Sequence, residues 1–288
     1  MKKLLLIALA AFSLVACKNT APADADKLTL NWGTFNIRYD NPEDSLNNWK
    51  YRKDSVAAFI LGQDLDVVGC QEVLHNQFLD LKERLAGYEA VGVGRDDGKE
   101  AGEYAPLFFK KDRFEALASN TFWLSQYPDS VGFVGWDGAC CRIATWAKLR
   151  DKQTGRIFMA VNTHFDHVGQ EARRNAALLI IDSIKSIVGD QPAVLTGDFN
   201  VDDQSDAYKT ITTNEFVLRD AYKEAPVKDG VDFTFHDWGQ VPADKREKID
   251  FIFVTQGIDV LRSFIPQPAD GPTGFLSDHN PHVVKIAF

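Results

Sequence analysis

The run Val194-Leu195-Thr196 is apolar enough to be buried as a strand, and it breaks off in Gly197-Asp198-Phe199-Asn200, where strand gives way to loop. Asp198 and Asn200 lie two residues apart, so in extended backbone they project to the same side. One strand end thus delivers a carboxylate and a carboxamide together. The chain repeats the device: Phe35-Asn36-Ile37-Arg38, Gln71-Glu72, Asn162-Thr163-His164, Lys248-Ile249-Asp250 and Ser277-Asp278-His279 also close on polar groups. Each has an ordinary explanation when taken singly. Asn36 can cap a loop, Glu72 can begin the next helix, and His164 can be a satisfied core imidazole. Asp250 can pair with Lys248 or Arg246, and Asp278-His279 can be a surface turn. Acidic, amide and imidazole groups at so many strand ends are, jointly, what the rim of an active site requires.

Between these ends the periodicity predicts an ordered series of elements. Leu28 to Ile37 alternates as a strand, and Trp49 to Leu61 has helical spacing with Val56, Phe59 and Ile60 on one face. Val67 to Cys70 is a second strand, and Phe78, Leu81 and Leu85 mark a helix ended by Gly87. Strands are expected over Tyr88 to Gly94, Pro106 to Phe109, Phe114 to Leu124, Arg142 to Leu149 and Arg156 to Asn162. Gln170 to Val188 is the clearest helix, with Ala177, Ile180, Ile181, Ile184 and Val188 as its apolar stripe. After a loop and short helix over Asp202 to Ile211, the last strands are expected at Phe233 to Phe235, Ile249 to Val254 and Val283 to Phe288. Hairpins alternate with helix-linked strands and no linker divides residues 28–288. The expectation is one α/β domain, two packed sheets with helices outside.

The N-terminus reads differently. Met1-Lys2-Lys3 precedes the apolar run Leu4 to Val15, which is too short to cross a bilayer and reads as a secretory signal. Leu14-Val15-Ala16-Cys17 resembles a bacterial lipoprotein box, which implies cleavage before Cys17 and a lipid on its thiol. Residues 1–16 would then be the signal peptide and 17–27 a polar tether. The body would sit in the bacterial cell envelope and touch the membrane only through its anchor. Of the other cysteines, Cys70 ends an apolar run and is expected in the core. Cys140 and Cys141 are either a vicinal disulfide or two small, semi-buried thiols.

The net charge of −9 argues against holding nucleic acid through a broad electrostatic face. No Ser or Cys nucleophile motif and no GxxxxGK[ST] loop is present. Carboxylates and amides are hard oxygen ligands that suit Mg²⁺ or Mn²⁺. Two histidines, each near a carboxylate, suit proton transfer near neutral pH. A hard divalent ion, a positioned water and a pair of imidazoles describe phosphoester hydrolysis.

Gln71-Glu72, Gly197-Asp198-Phe199-Asn200, Ile249-Asp250 and Ser277-Asp278-His279, in that order, resemble the signatures of the endonuclease/exonuclease/phosphatase superfamily. The resemblance covers almost all of the chain after the tether. It implies a four-layer α/β/β/α sandwich of two packed mixed β-sheets flanked by helices, and a divalent-metal-dependent phosphoester hydrolase. It implies that Glu72 is the principal metal ligand, with Asn36 and Asp278 beside the same Mg²⁺ or Mn²⁺. Asp198 would position or deprotonate the attacking water, and Asn200 would contact the phosphate. His279 would touch a phosphoryl oxygen, oriented by Asp250, while His164 would serve the leaving oxygen with Glu103 as its carboxylate partner. Arg142 stands where members carry a phosphate-contacting arginine.

Arg38 stands where abasic-site endonucleases have an aspartate; an arginine cannot bind the metal but can hold phosphate. Leu195-Thr196 before Gly197 also departs from the inositol 5-phosphatase pattern. The substrates left open are a phosphorylated small molecule, a phospholipid headgroup or nucleic acid, with a monomeric protein expected. His167 and His236 are further candidates for the pocket, and Trp123, Trp136 and Trp238 for a wall against a base, sugar or lipid, with core packing as the alternative. A tethered binding protein with a decayed site is the competing class; the presence of Glu72, Asp198, Asp250 and His279 weighs against it.

Overall fold

In strand β1 (Thr29–Asn36) the side chains of Leu30, Trp32, Thr34 and Asn36 share one face, so that face changes from apolar to polar along the strand. The computed structural model describes residues 27–189, 191–213, 216, 218–268 and 274–288. After β1 come α1 (Trp49–Gly62), β2 (Val67–Gln71), α2 (His75–Arg84), β3 (Tyr88–Val91), β4 (Leu107–Lys110), β5 (Phe114–Trp123) and β6 (Ile143–Asp151). Then follow β7 (Ile157–His164), α3 (Gln170–Val188), β8 (Ala193–Asp198), α4 (Asp206–Thr213), β9 (Arg219–Asp220) and α5 (Ala221–Glu224). The series closes with β10 (Lys228–Gly230), β11 (Asp250–Val254), β12 (Asp259–Ile265) and β13 (His282–Ala287). The signal peptide, most of the tether and Cys17 lie outside the described residues. No helix among the described residues is long and apolar enough to cross a membrane.

One sheet has the order β10-β12-β13-β1-β2-β4-β3 and the other β5-β6-β7-β8-β11-β9. Each is built on a central parallel pair, β1 with β2 and β7 with β8, flanked by an antiparallel strand, β13 or β11. The sheets pack face to face, β1 against β8 and β11, and β2 against β7. Residue parity then sorts side chains into three main cores, beside a small cluster of Ala105, Trp123, Cys141 and Ile143. Leu30, Trp32, Val67, Phe158, Ala160, Val194, Ile252 and Ile286 fill the space between the sheets. The alternate residues face the helices. Phe35, Val68 and Cys70 meet α1 and α2, while Val161, Leu195, Phe251 and Phe253 meet the apolar faces of α3 and α4.

Continuing along the inner parity, the apolar floor gives way to Thr34, Gln71, Asn162 and Thr196, all fully buried. Asn162 ties the sheets together. Its Oδ1 accepts from Gln71 Nε2 (2.6 Å) and Thr196 Oγ1 (3.1 Å), and its Nδ2 donates to the carbonyls of Cys70 (2.7 Å) and Pro106 (3.0 Å). Room for this amide comes from Gly69: a Cβ there would lie 2.4 Å from Asn162 Oδ1 and 2.5 Å from Thr196 Oγ1.

The short elements β9, α5 and β10 were not expected from the sequence, and two larger departures stand out. Phe233 to Phe235 is not a strand; Phe235 alone makes isolated bridges to Glu247 and His279, because this segment spans the ends of two strands instead of extending a sheet. β12 was not expected, since its register shifts between Val260 and Arg262 and breaks the two-residue period that announces a strand. Cys70, Cys140 and Cys141 are free thiols, Cys70 buried in the core.

Asn162→Ala would remove the side-chain donor to the Cys70 and Pro106 carbonyls and the acceptor shared by Gln71 and Thr196, cutting the link between the sheets in the interior. It is expected to lower unfolding stability by roughly 2–4 kcal/mol, read from the denaturant midpoint at unchanged slope; an unshifted midpoint would contradict the bridging role.

Candidate active site

Above the amide layer the same inner positions carry Asn36, His164, Asp198 and Asp250; the loops after β1, β2 and β8 add Arg38, Glu72 and Asn200, and the segment leading into β13 adds Asp278 and His279. Strand register places them in one mouth: Asn36 is level with Gln71, while His164 and Asp250 both flank Asp198. The chain turns sharply to aim three of these groups. Arg38 (φ 58°), Glu72 (φ 59°) and Asn200 (φ 50°) all adopt the left-handed region. Asn tolerates that region; Arg and Glu do so at a cost that accumulates at functional sites.

Asn36 stands at the centre. Its Nδ2 donates to Glu72 Oε1 (3.0 Å) and Asp198 Oδ2 (2.8 Å), and its Oδ1 accepts from the Arg38 backbone N–H (3.0 Å). Asp198 Oδ1 accepts from Asn200 N (2.9 Å), while its Oδ2 lies 3.5 Å from His164 Nε2 and 3.8 Å from His279 Nε2. Asn200 Nδ2 donates to the Phe165 carbonyl and to His164 Nε2, each at 3.0 Å. His279 Nδ1 donates to Asp250 Oδ2 (2.8 Å). On the far side Arg38 Nη1 lies 3.9 Å from Glu72 Oε2 and 3.8 Å from Asp278 Oδ2, and its Nε is held by Asp44 at 3.2 Å. On the near side Glu103 Oε2 lies 3.8 Å from both His164 Nδ1 and Arg142 Nη1.

The structure thus brings together every site residue expected from the sequence except Cys17. Glu103 meets His164 at 3.8 Å, beyond hydrogen-bond distance, because its carboxylate is committed to Arg95, which donates to it twice at 2.8 and 2.9 Å. Arg95 was not foreseen: it sits in a loop with no strand-end motif to mark it. Thr234 was also missed. Its buried hydroxyl accepts from Ile249 N (3.0 Å) and Asp250 N (3.1 Å), and its carbonyl accepts from Asn280 N (2.7 Å), so it clamps the two segments that carry Asp250 and His279. His167 is exposed, with Nδ1 3.2 Å from Arg142 Nη2. His236 is buried against Phe275. Trp123 is buried and donates to the Arg95 carbonyl, whereas Trp238 is half-buried at the rim.

The two catalytic-type imidazoles are pushed in opposite directions. Burial pushes His164 well below the ordinary histidine value, and Arg142 and Arg95 reinforce it. Burial also opposes charge on His279, but Asp250, Asp198 and Asp278 outweigh it and hold this group up to about 10. Burial, then the neighbouring Asp250, pushes Asp198 up to about 7. Burial, with Glu72 adding to it, pushes Asp278 up to about 6. His279 is therefore a fixed cation at neutral pH and His164 a neutral imidazole.

These carboxylates fit a hard divalent cation. Glu72, His164 and Asp198 offer ligand atoms within 4.8 Å of one another, as do Asp198, Asp250 and His279. In both groups the imidazole is already committed, His164 Nε2 to Asn200 and His279 Nδ1 to Asp250, so the carboxylates, Glu72 foremost, are the ligands a cation would meet. A dication beside Glu72 would relieve the crowding of buried negative charge that raises Asp198 and Asp278.

Paired sheets whose facing strands open into such a mouth define a class of hydrolases that act on phosphoester bonds. Within that class the chain belongs to the Endonuclease/Exonuclease/phosphatase family, whose model matches residues 33–279. It is 64% identical to an endonuclease/exonuclease/phosphatase of Bacteroides vulgatus, with a TM-score of 0.88 over 90% of this chain and 98% of that chain. It is 34% identical to a mannosyl-6-phosphatase of Bacteroides thetaiotaomicron, with a TM-score of 0.84 over 90% of this chain and all of that one (100%). Drosophila melanogaster nocturnin is 27% identical over 217 residues, 67% of this chain and 32% of that protein, so the chain spans about a third of that relative's length.

NMR of the imidazole nitrogens should find His279 doubly protonated at neutral pH, losing its proton only as pH approaches about 10, and His164 neutral throughout the neutral range. Asp250→Asn should return His279 toward the ordinary histidine value. A neutral His279 in the wild-type protein at neutral pH would contradict the geometry.

Proposed function

We propose that this enzyme is a divalent-metal-dependent phosphatase that removes phosphate from a phosphorylated sugar. The observation that carries the reading is the convergence of Glu72, Asp198 and His279 around one point. Asn36 bridges the first two, at 3.0 and 2.8 Å, and His279 lies 3.8 Å from Asp198. The similarity to the mannosyl-6-phosphatase, at 34% identity over nearly all of both chains, supports the choice of substrate class. The acidic net charge of −9 weighs against a nuclease, which needs a cationic surface along the strand.

Glu72, with Asn36 and Asp278 beside it, holds Mg²⁺ or Mn²⁺. When bound, the ion polarises the phosphoryl oxygens and neutralises their charge. Asp198 orients the attacking water and accepts its proton, with Asn200 N fixing one carboxylate oxygen and Asn36 the other. His279, kept cationic by Asp250, donates to a phosphoryl oxygen on which charge builds in the transition state. Asn200 contacts the phosphate from the neighbouring position. Arg38 and Arg142 flank the site with guanidinium groups suited to phosphate. Arg142 is 6% exposed, and its Nη1 and Nε face Glu103 at 3.8 Å and Asp166 at 4.0 Å without a hydrogen bond, so the guanidinium keeps donor capacity beside the mouth. The bond from phosphorus to the leaving oxygen breaks as the bond to water forms. His164, neutral and with Nε2 3.5 Å from Asp198 Oδ2, relays to that leaving oxygen the proton that Asp198 took from the water. The enzyme body is tethered to the bacterial envelope through lipid on Cys17.

A panel of hexose 6-phosphates, p-nitrophenyl phosphate, bis-p-nitrophenyl phosphate, plasmid DNA and RNA tests the substrate class. The expected outcome is preferential turnover of a sugar phosphate, abolished by EDTA and restored by Mg²⁺. Asp198→Ala or His279→Ala should lower kcat by at least about a hundredfold. Turnover unaffected by EDTA would sink the mechanism, and preferential cleavage of DNA or RNA would replace the substrate class. The anchor is tested separately: radiolabelled palmitate should enter the full-length protein in bacterial cells and be absent from Cys17→Ser. Equal labelling of both would remove the tether.

A further inference from the structure

Beside the mouth, on the side of Arg38, lies a groove that none of these steps uses. Its volume is about 330 Å³, within the range of small-molecule sites, and Leu46, Asn47, Tyr51, Arg52, Ser55 and Phe275 line it.

Arg52 joins the groove to the mouth. Its buried guanidinium donates Nη1 to the carbonyls of Ile37 (2.8 Å) and Leu276 (2.7 Å), Nε to that of Asn47 (2.5 Å) and Nη2 to that of Arg38 (3.4 Å). Arg38 in turn reaches Glu72 and Asp278. The Arg52 guanidinium also lies 5.0 Å from the centre of the Trp238 ring, which packs edge-on against Phe275 at 6.2 Å. The segment carrying Trp238 is held against its backbone preference: Asp237 (φ 46°) and Trp238 (φ 53°) are successive left-handed residues without a glycine between them. Two N–H groups, of His236 (3.1 Å) and Asp237 (3.2 Å), donate to the Asp278 carbonyl and fix this segment to the catalytic loop. Strain of this kind concentrates at ligand clamps.

The lining chemistry narrows the occupant. Arg52 commits four of its five N–H donors to backbone carbonyls and is only 3% exposed, so a second phosphate lodged there would gain little from the guanidinium. A purely apolar ligand would strip water from Asn47, Ser55 and the Tyr51 hydroxyl without replacing it. Tyr51 is 61% exposed, and its ring is steadied by Lys50 Nζ at 4.7 Å from the centroid. An aromatic face with amide and hydroxyl groups around it suits a neutral, hydroxylated ring, which stacks its C–H face and hydrogen-bonds through its edge.

We infer that the groove is a subsite for a neutral sugar residue linked to the phosphorylated one, so that the enzyme prefers phosphate carried on a saccharide chain over a monosaccharide phosphate. This rests on the sugar-phosphatase reading above.

The test compares kcat/KM for a hexose 6-phosphate with that for the same phosphorylated hexose linked glycosidically to a second hexose, both with Mg²⁺. The wild-type enzyme should favour the disaccharide by about three- to tenfold, the size of one aromatic contact. Tyr51→Ala, at an exposed position, should collapse that ratio toward one through KM. Saturation-transfer NMR with a phosphate-free disaccharide should give a signal with the wild-type protein that Tyr51→Ala loses. A wild-type enzyme that favours the monosaccharide phosphate, or a Tyr51→Ala enzyme that keeps the preference, overturns the subsite. If no sugar phosphate turns over, the sugar-phosphatase reading fails instead; the NMR experiment then still judges the groove, and absence of transfer to the wild-type protein rejects it.

Discussion

The interaction on which the structure depends is the buried amide of Asn162. Two sheets with wholly apolar facing surfaces would close on each other along their whole length, leaving no polar mouth between them. Here the lower half of that space is packed with Leu30, Trp32, Phe158 and Val194, and the upper half must hold carboxylates and imidazoles. Asn162, with Gln71, Thr34 and Thr196, is the layer between these regimes. It satisfies backbone carbonyls of one sheet from a side chain of the other, so the sheets are fixed at the height where the chemistry begins. A hydrogen-bonded layer of this kind also specifies register, because a strand slipped by one residue would turn its polar members into the helix-facing cores.

Electrostatics above that layer follow from its dryness. Glu72, Glu103, Asp198, Asp250 and Asp278 are crowded into one mouth, balanced by Arg38, Arg95, Arg142 and protonated His279. In low dielectric each opposite-charge contact is strengthened and each like-charge contact penalised. The distribution has two sides. Burial, reinforced by Arg142 and Arg95, keeps His164 uncharged, whereas around the equally buried His279 the carboxylates of Asp250, Asp198 and Asp278 outweigh burial and keep it charged. One residue type thus serves two roles a few ångströms apart, divided by which neighbours each ring meets.

Much of this was legible in the sequence, because the central strands carry both messages in a single pattern. In β1 an alternation, and in β2, β7 and β8 a short apolar run, announces the strand, and the change from apolar to polar residues along it announces which end is the mouth. Asp198 with Asn200, and Gln71 with Glu72, are visible for that reason. Residues that act from irregular backbone were not. Arg95 reaches Glu103 from a loop whose conformation no periodicity encodes, and Thr234 acts through hydrogen bonds that look like those of any buried threonine. The expected strand at Phe233 to Phe235 has strand-like composition, but its backbone groups are spent on Glu247 and Asn280 and the Thr234 hydroxyl on Ile249. β12 was hidden for the opposite reason, a true strand whose bulge disturbs its alternation.

The direction of β1 has a consequence for how the enzyme meets its surroundings. The strand enters the sheet at Thr29 and reaches the catalytic groups only at Asn36, at the far end of its 8 residues, a span of about 23 Å. Anything joined upstream of it, whether acyl chain, affinity handle or fused partner, therefore hangs from the opposite pole of the molecule. A copy fixed to a surface by that pole would turn its opening outward, toward solutes arriving by diffusion and away from the surface that holds it.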